Sequence, residues 1–570
     1  MLVKQFILLV VLSLALRPIA IAQELPGASS DLSQKVDQLF SRYDKKDSPG
    51  CAVGIIREGK IIYKRGYGMA NLDFDIPNSP ATLFNVASMA KQFTAASIIL
   101  LAQQRKLSLD DDIRRYVPEI PDYGTPITIR QLAYHTSGIR DYIDLIELSA
   151  DRLENIHTDQ DILRILARQK KLNFKPGERH LYSNSGYVLL GIIVERVAGK
   201  SLRHFQNEAI FQPLGMKNTL VYDDRTMIVK NRASGYVPRG DGSEGSYAMR
   251  ASLWDRVGDG GILTTVEDIF LWDQNFYNPT VGNLELINLM TTPGTLTNGE
   301  KIAYTFGLEL TRYKGLPVIM HGGSIRGFRA QMYRFPEQKF SAICLCNNGS
   351  ISPTSIVEKV ADIYLSDDVK LNSPPVKERP RDQLTRIHLS EKELARFTGV
   401  FANSSGEFAR RLYVKAGKLW YFQSEREEHE LGPLGDNRFI MLGVPEKIEV
   451  VVSNGQTGGP SRMTLIMDDG RSIVYEVAKP ALESRAELAQ YAGRYYSEEL
   501  DTDYTLTLRG NQLLATKKAG DDLLLAPQFA DVFGDSKSLI SARFTREPRG
   551  RVTGFLLNTS RMKGIDFKKL

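Results

Sequence analysis

Asn85-Val86-Ala87-Ser88-Met89-Ala90-Lys91-Gln92-Phe93-Thr94 opens an apolar run through Ala95, Ala96, Ile98, Ile99, Leu100 and Leu101. The run predicts a helix that ends near Arg105. Ser88 and Lys91 are three residues apart, so on a helix they share a face, one turn from each other. A serine hydroxyl becomes a useful nucleophile when a nearby base takes its proton. A lysine can be that base once burial or a neighbouring charge lowers its pKa. The free N–H groups of a helix start favour a developing negative charge. Alone, the Ser-x-x-Lys spacing is a weak signal. A serine at a helix start is ordinarily a cap, and a lysine one turn later ordinarily faces solvent.

Working outward, Cys51–Ile56 and Lys60–Lys64 flank Arg57-Glu58-Gly59, a hairpin signature. Ile127–Ala133 predicts a short helix running into the turn His135-Thr136-Ser137-Gly138. Residues 141–171 are polar and irregularly amphipathic, and are expected as a helical cover. Val188–Val197 is an apolar helix closed by Gly199. Residues 225–258 hold glycine and charge without clear period and are expected at a binding rim. Three strands are expected at Leu316–His321, Phe328–Arg334 and Phe340–Cys346, with turns at Gly322-Gly323 and Pro336-Glu337. Thr354–Tyr364 follows as a closing helix. Strands at both ends with helices between fit an α/β sandwich whose sheet joins both termini.

The stretch 368–386, rich in Pro, Lys and Asp, reads as a linker. Beyond it lies an internal repeat. Glu393-Leu394-Ala395-Arg396-Phe397-Thr398-Gly399-Val400-Phe401 aligns with Glu487-Leu488-Ala489-Gln490-Tyr491-Ala492-Gly493-Arg494-Tyr495. The same offset pairs Leu412 with Leu506, Leu419 with Leu513, Pro433 with Pro527 and Phe439 with Phe533. Short alternating strands in each copy predict two small antiparallel, lipocalin-like β-barrels. Neither copy clusters catalytic residue types.

A chain of 570 residues calls for several domains. The expected layout is a signal peptide at 1–22, a catalytic domain at 30–366, a linker at 367–386 and barrels at 387–480 and 481–570. Lys4, the apolar run Phe6–Leu16 and Ala20-Ile21-Ala22 before Gln23 have the form of a secretory signal. A secreted or periplasmic protein follows, with no membrane span once the signal is removed. A formal charge of +6 is small for this length, and no basic run is interleaved with aromatics, so nucleic acid is not an expected partner. Three cysteines, Cys51, Cys344 and Cys346, cannot form a disulfide framework. Their default reading is small buried hydrophobes; a bridge from Cys51 to one of the others stays open. There is no His-Glu-x-x-His and no Cys–His cluster, so neither metal nor cofactor is expected.

Three local features recur in order: Ser88-Met89-Ala90-Lys91, Tyr182-Ser183-Asn184 and His321-Gly322-Gly323. With His135-Thr136-Ser137-Gly138, Lys175-Pro176-Gly177, Pro213-Leu214-Gly215-Met216 and Gly260-Gly261-Ile262-Leu263-Thr264-Thr265, this sequence resembles the serine β-lactamase and penicillin-binding-protein-like family, in its class C branch, over roughly residues 30–366. The resemblance implies an α/β, β-lactamase-like sandwich with an antiparallel sheet. It implies that Ser88 is acylated, that Lys91 eases loss of its proton, and that Tyr182 serves as general base and then as acid to the leaving group. Asn184 would hold the substrate amide and orient Lys91. Gly322 and Gly323 would admit substrate backbone to the strand edge. The N–H groups of Ser88 and Ser324 would form the oxyanion hole, worth on the order of 3 kcal/mol per donor. His321 stands where classical members carry lysine, so a fixed positive charge is replaced by a group that is mostly neutral near pH 7 and open to small shifts. His135 is expected to be structural, and Arg326 and Arg329 to be solvated or paired.

A β-lactamase-like domain followed by two eight-stranded barrels also resembles the layout of D-stereospecific aminopeptidases. The expected function is a secreted serine hydrolase acting through an acyl-enzyme on small amides or peptides, D-amino-acid cell-wall fragments among them. The rivals are a carboxylesterase or weak β-lactamase with the same residues, and a penicillin-binding sensor that acylates without turnover. The expected partner is a small-molecule or peptide substrate; oligomeric state is left open.

Overall fold

The structure, a computed structural model, describes residues 30–570 apart from 241–245, 251–254, 373–386, 404–408, 425–426, 445–446, 455–459, 468–470, 480, 482–483 and 536–539. The signal-peptide expectation for 1–22 therefore lies outside the described residues. Six strands form one antiparallel sheet: β1 (Cys51–Arg57), β2 (Lys60–Tyr67), β3 (Glu309–Tyr313), β4 (Leu316–Ile325), β5 (Phe328–Phe335) and β6 (Phe340–Cys346), in the order β3-β4-β5-β6-β1-β2. The first and last parts of the domain thus meet at the β1–β6 pair, which is the α/β sandwich expected.

Side-chain alternation makes both faces of this sheet into core. Cys51, Val53 and Ile55 of β1, with Phe340, Ala342 and Cys344 of β6, pack with helices α1 (Ser30–Phe40) and α5 (Pro353–Tyr364). Ala52 and Ile56, with Ile343 and Leu345, face the opposite layer. That layer holds α2 (Lys91–Gln103), α3 (Asn184–Ala198) and α4 (Val266–Gln274). Gly54 has no side chain where Val266 presses in, since a Cβ there would lie 2.2 Å from Val266 Cγ1. Helix α2 is buried almost all round. Its polar groups are satisfied inside: the Thr94 hydroxyl donates to the Gly258 carbonyl at 2.7 Å, and Gln92 accepts from the Trp272 indole at 3.0 Å.

Three expectations are corrected. Gly322-Gly323 is not a turn. Strand β4 runs on to Ile325 and the chain reverses at Arg326-Gly327, where Gly327 has φ +80°. The cause is continued pairing with β5, Gly322 against Gln331 and Gly323 against Ala330. Second, Cys51 and Cys346 are not free core thiols. They are directly opposed in the β1–β6 register and bridged; Cys344 stays free and buried. Third, the start of the expected linker is helical: Ser366–Asn372 forms a short helix with Asp367 and Asp368 at its N-terminal end, where the helix dipole favours them.

The repeat gives two closed eight-stranded barrels, spanning 399–477 and 493–569. Equivalent residues do equivalent work. Ser390 and Ser484 each form a capping box, with Glu393 and Glu487. Phe397 packs edge-on against Phe439 and Tyr491 against Phe533, at 4.9 and 4.8 Å between centroids. Pro433 and Pro527 each sit at a register shift, where a missing N–H costs least. The second barrel docks on the catalytic domain. Arg140 and Glu499 form a buried ion pair at 2.6 Å, and Tyr504 donates to the Leu148 carbonyl at 2.8 Å.

Candidate active site

Ser88 lies in a 3-10 turn, Ala87–Ala90, that runs directly into α2. The preceding Ala87 has φ +47°, a conformation few non-glycine residues take. It is held there by the Asn85 side chain, which accepts from the Ala87 N–H at 2.9 Å. This turn presents the Ser88 hydroxyl at one wall of a cleft of about 950 Å³.

Lys91 is fully buried, and its ammonium group meets three acceptors: Ser88 Oγ at 3.0 Å, Asn184 Oδ1 at 2.9 Å and the Asp259 carbonyl at 2.8 Å. Burial draws its pKa down to about 7; Asp259 pulls upward and Arg256 downward. A half-neutral amine beside a hydroxyl can take that hydroxyl's proton near neutral pH. Asn184 is fixed in turn by Asp141, whose Oδ2 accepts from the Asn184 backbone N–H at 2.7 Å and its side-chain amide at 2.9 Å. That leaves the Asn184 carbonyl oxygen no choice but to face Lys91. Burial and Asp144 lift Asp141 to about 6.

Tyr182 stands across the cleft with Lys91 Nζ 5.0 Å from its ring centroid. Desolvation pushes its phenol upward, opposed by its hydrogen bond with Ser88 and by the charge of Arg561. The phenol is therefore neutral at ordinary pH. A neutral phenol can relay a proton between partners but does not stand ready as a phenolate. Burial is the main cause, and His321 does not offset it. Its Nδ1 lies 2.6 Å from the Gly322 carbonyl, which can only accept, so Nδ1 carries the hydrogen and Nε2 accepts from the Tyr304 hydroxyl at 3.0 Å. Burial and the Lys91 charge bring His321 down to about 4. It is neutral near pH 7, as expected, but lies too low for small shifts to switch it, and it supplies no cation beside Tyr182.

Of the other expected residues, Ser88, Tyr182, Asn184, His321, Gly322, Gly323 and Ser324 all line the one cleft. Strand β3 pairs only with 316–320, so the edge of β4 from His321 to Ile325 is open beside Ser88. Gly323 admits the protein's own backbone: a Cβ there would lie 2.1 Å from the Val86 carbonyl oxygen. His135 is structural, as expected. Its Nδ1 accepts from the Ser183 N–H at 3.1 Å and its ring packs 4.2 Å from that of Tyr182. Arg326 pairs with Glu154 at 3.3 Å.

Sequence reasoning missed Asp141, Asp259, Tyr304 and Arg561. Asp259 is held by Arg256 and by the Tyr142 hydroxyl at 3.0 Å. Arg561 belongs to the second barrel, yet its guanidinium lies 5.2 Å from the Tyr182 ring centroid. Asp259, next to Gly260-Gly261, could have been suspected from its neighbours. Arg561 left no local signal at all.

An antiparallel α/β sandwich with a serine and a buried lysine at the head of its central helix defines a serine hydrolase of the β-lactamase-like superfamily. The comparisons agree. The pattern of the family described as Beta-lactamase matches residues 36–359, and the chain belongs to that family. A D-aminopeptidase of Brucella melitensis biotype 2 is 26% identical over 546 residues, covering 92% of this chain and 96% of that protein. A penicillin-binding protein homologue from Pyrococcus abyssi, solved as an octamer, superposes with a TM-score of 0.53 at 23% identity, over 78% of this chain and 100% of its own. FmtA from Staphylococcus aureus does so with a TM-score of 0.50 at 19% identity, over 61% of this chain and 90% of its own. These two structures share the fold.

Proposed function

We propose that this protein hydrolyses small amides or peptides carrying D-amino acids, cell-wall fragments among them, through an acyl-enzyme on Ser88. The observation that carries the reading is Lys91, buried, drawn down to about 7 and 3.0 Å from Ser88 Oγ. The similarity to a D-aminopeptidase over 92% of the chain supports the substrate class.

Neutral Lys91 takes the Ser88 proton as Oγ attacks the substrate carbonyl carbon. The carbonyl oxygen becomes an oxyanion between the N–H groups of Ser88 and Ser324. Asn184, with Gly322 and Gly323 on the open edge of β4, aligns the substrate backbone. The C–N bond breaks as Tyr182 passes a proton to the leaving nitrogen and recovers one from the Lys91 ammonium, which took it from Ser88. Water then attacks the ester by the same path in reverse. Residues 1–22 direct export to the periplasm or medium, a reading supported by the Cys51–Cys346 bridge, which suits an oxidising compartment. The functional units are those at 30–366, 387–480 and 481–570.

The test sets D-alanyl amides, a short-chain ester and a cephalosporin side by side. Turnover of the D-alanyl substrate, lost in Ser88→Ala, is expected. Strong ester turnover with none on D-alanyl amides would contradict it. A mature N-terminus at Gln23 checks the export reading.

A further inference from the structure

The charges around the cleft are one-sided. Arg250, Arg256, Arg326, Arg329 and Arg561 line it against Glu154 and Asp259. Both carboxylates are already engaged: Asp259 with Arg256, and Glu154 with Arg326. Arg329 turns one nitrogen back to its neighbour's carbonyl, Phe328, at 2.8 Å. Arg250, Arg329 and Arg561 have no carboxylate within ion-pair distance among the described residues. Of these three, Arg250 is exposed, whereas Arg561 is half-buried with its guanidinium against the Tyr182 ring. Its backbone is nonetheless tightly held. The Arg561 N–H donates to Thr559 Oγ1 at 3.2 Å, and the Arg561 carbonyl accepts from Asn173 Nδ2 at 3.0 Å. Asn173 Oδ1 also takes the Lys563 N–H at 2.8 Å, and Arg140 Nη2 donates to the Lys563 carbonyl at 2.8 Å. Thr559 itself is tied to Asp144. A barrel loop anchored at so many points holds one guanidinium over the proton-donating wall of the cleft.

A guanidinium presents a planar fork of donors that matches a carboxylate, and a preorganised one loses little entropy on binding. We propose that Arg561 is a specificity-determining residue that binds a free carboxylate on the leaving-group side of the substrate. The preferred substrates are then peptides cleaved at the bond to a C-terminal residue with a free acid. Uncharged primary amides are the poorer class. Placement beside Tyr182 assigns the side, because Tyr182 is the group that protonates the departing nitrogen. This deepens the hydrolase reading and rests on it for the direction of cleavage.

The test separates the two. Binding is measured by calorimetry in the full-length Ser88→Ala protein, with D-alanyl-glycine and D-alanyl-glycinamide as probes. The acid is expected to bind about tenfold more tightly than the amide, the size of one charge-assisted contact. Arg561→Gln erases that ratio, and Arg561→Lys, which keeps the charge, retains part of it. Equal binding, a preference for the amide, no binding of the acid, or a preference that survives Arg561→Gln would each overturn the proposal. Turnover by the unsubstituted protein is read separately. A binding ratio that follows Arg561 with no hydrolysis of either peptide would support the carboxylate site and overturn the hydrolytic reading.

Discussion

At the residue scale, the proposed chemistry rests on a lysine kept out of water. Only its neutral form can accept the Ser88 proton, so acylation is expected to rise with pH through about 7, the value burial sets for Lys91. Rapid-quench rates between pH 5 and 9 check this, and Lys91→Gln should lose roughly 10²–10⁴-fold. Stability carries the same signature. In the unfolded chain Lys91 titrates near its ordinary value of about 10.4, so between that pH and about 7 the unfolded state binds more protons than the native state. The Lys91 contribution therefore makes stability rise with pH across this window, by at most about 1.4 kcal/mol per unit. Lys91→Met should flatten that slope in thermal unfolding. Asp141 matters in a different way. Removing it in Asp141→Ala leaves two buried Asn184 donors unmet, at a cost of about 3 kcal/mol, with acylation slowed as Asn184 loses its orientation. Ser88, Lys91, Tyr182 and Asn184 were legible from motif order. Asp141 and Tyr304 were not, because their roles come from a contact with one motif residue and leave no spacing of their own.

At the element scale, the site is an encounter between the Ala87–Ala90 turn and the open half of β4. The strands were legible as short apolar runs bounded by turn residues. The end of β4 was misread because Gly322-Gly323 has the composition of a turn, while the β5 partners that keep it extended lie beyond it in sequence. The two glycines make a contrast that can be measured. A methyl at Gly323 would meet the Val86 carbonyl oxygen at 2.1 Å, fixed backbone in the turn that carries Ser88. A methyl at Gly322 would meet Gln331 Oε1 at 2.7 Å, the end of a side chain. Gly323→Ala is expected to slow acylation on the order of 100-fold, the usual effect of displacing a reacting group by about 1 Å. Gly322→Ala should slow it far less. Similar rates for the two variants would show that the turn does not depend on this contact.

At the scale of the whole molecule, the repeat and its two barrels could be read from the offset of matching residues. Their position could not, because docking depends on side chains drawn from distant parts of the chain. Arg140 and Glu499 join the catalytic domain to the second barrel as a buried ion pair. Breaking such a pair from one side leaves a buried charge, so Glu499→Ala is expected to cost about 3–5 kcal/mol. It should also loosen the Arg561 loop, since Arg140 holds the Lys563 carbonyl in that loop. Calorimetric unfolding measures the first effect, and the acid-to-amide binding ratio measures the second.

The most direct measurement is intact-protein mass spectrometry after brief exposure to a fluorophosphonate, repeated from pH 5 to 9 and followed by peptide mapping. A single adduct on Ser88, forming faster as pH rises through about 7 and absent from Ser88→Ala, is the expected result. An adduct on another residue, or a Ser88 rate that does not change across that range, would contradict a buried lysine as the base that activates the serine.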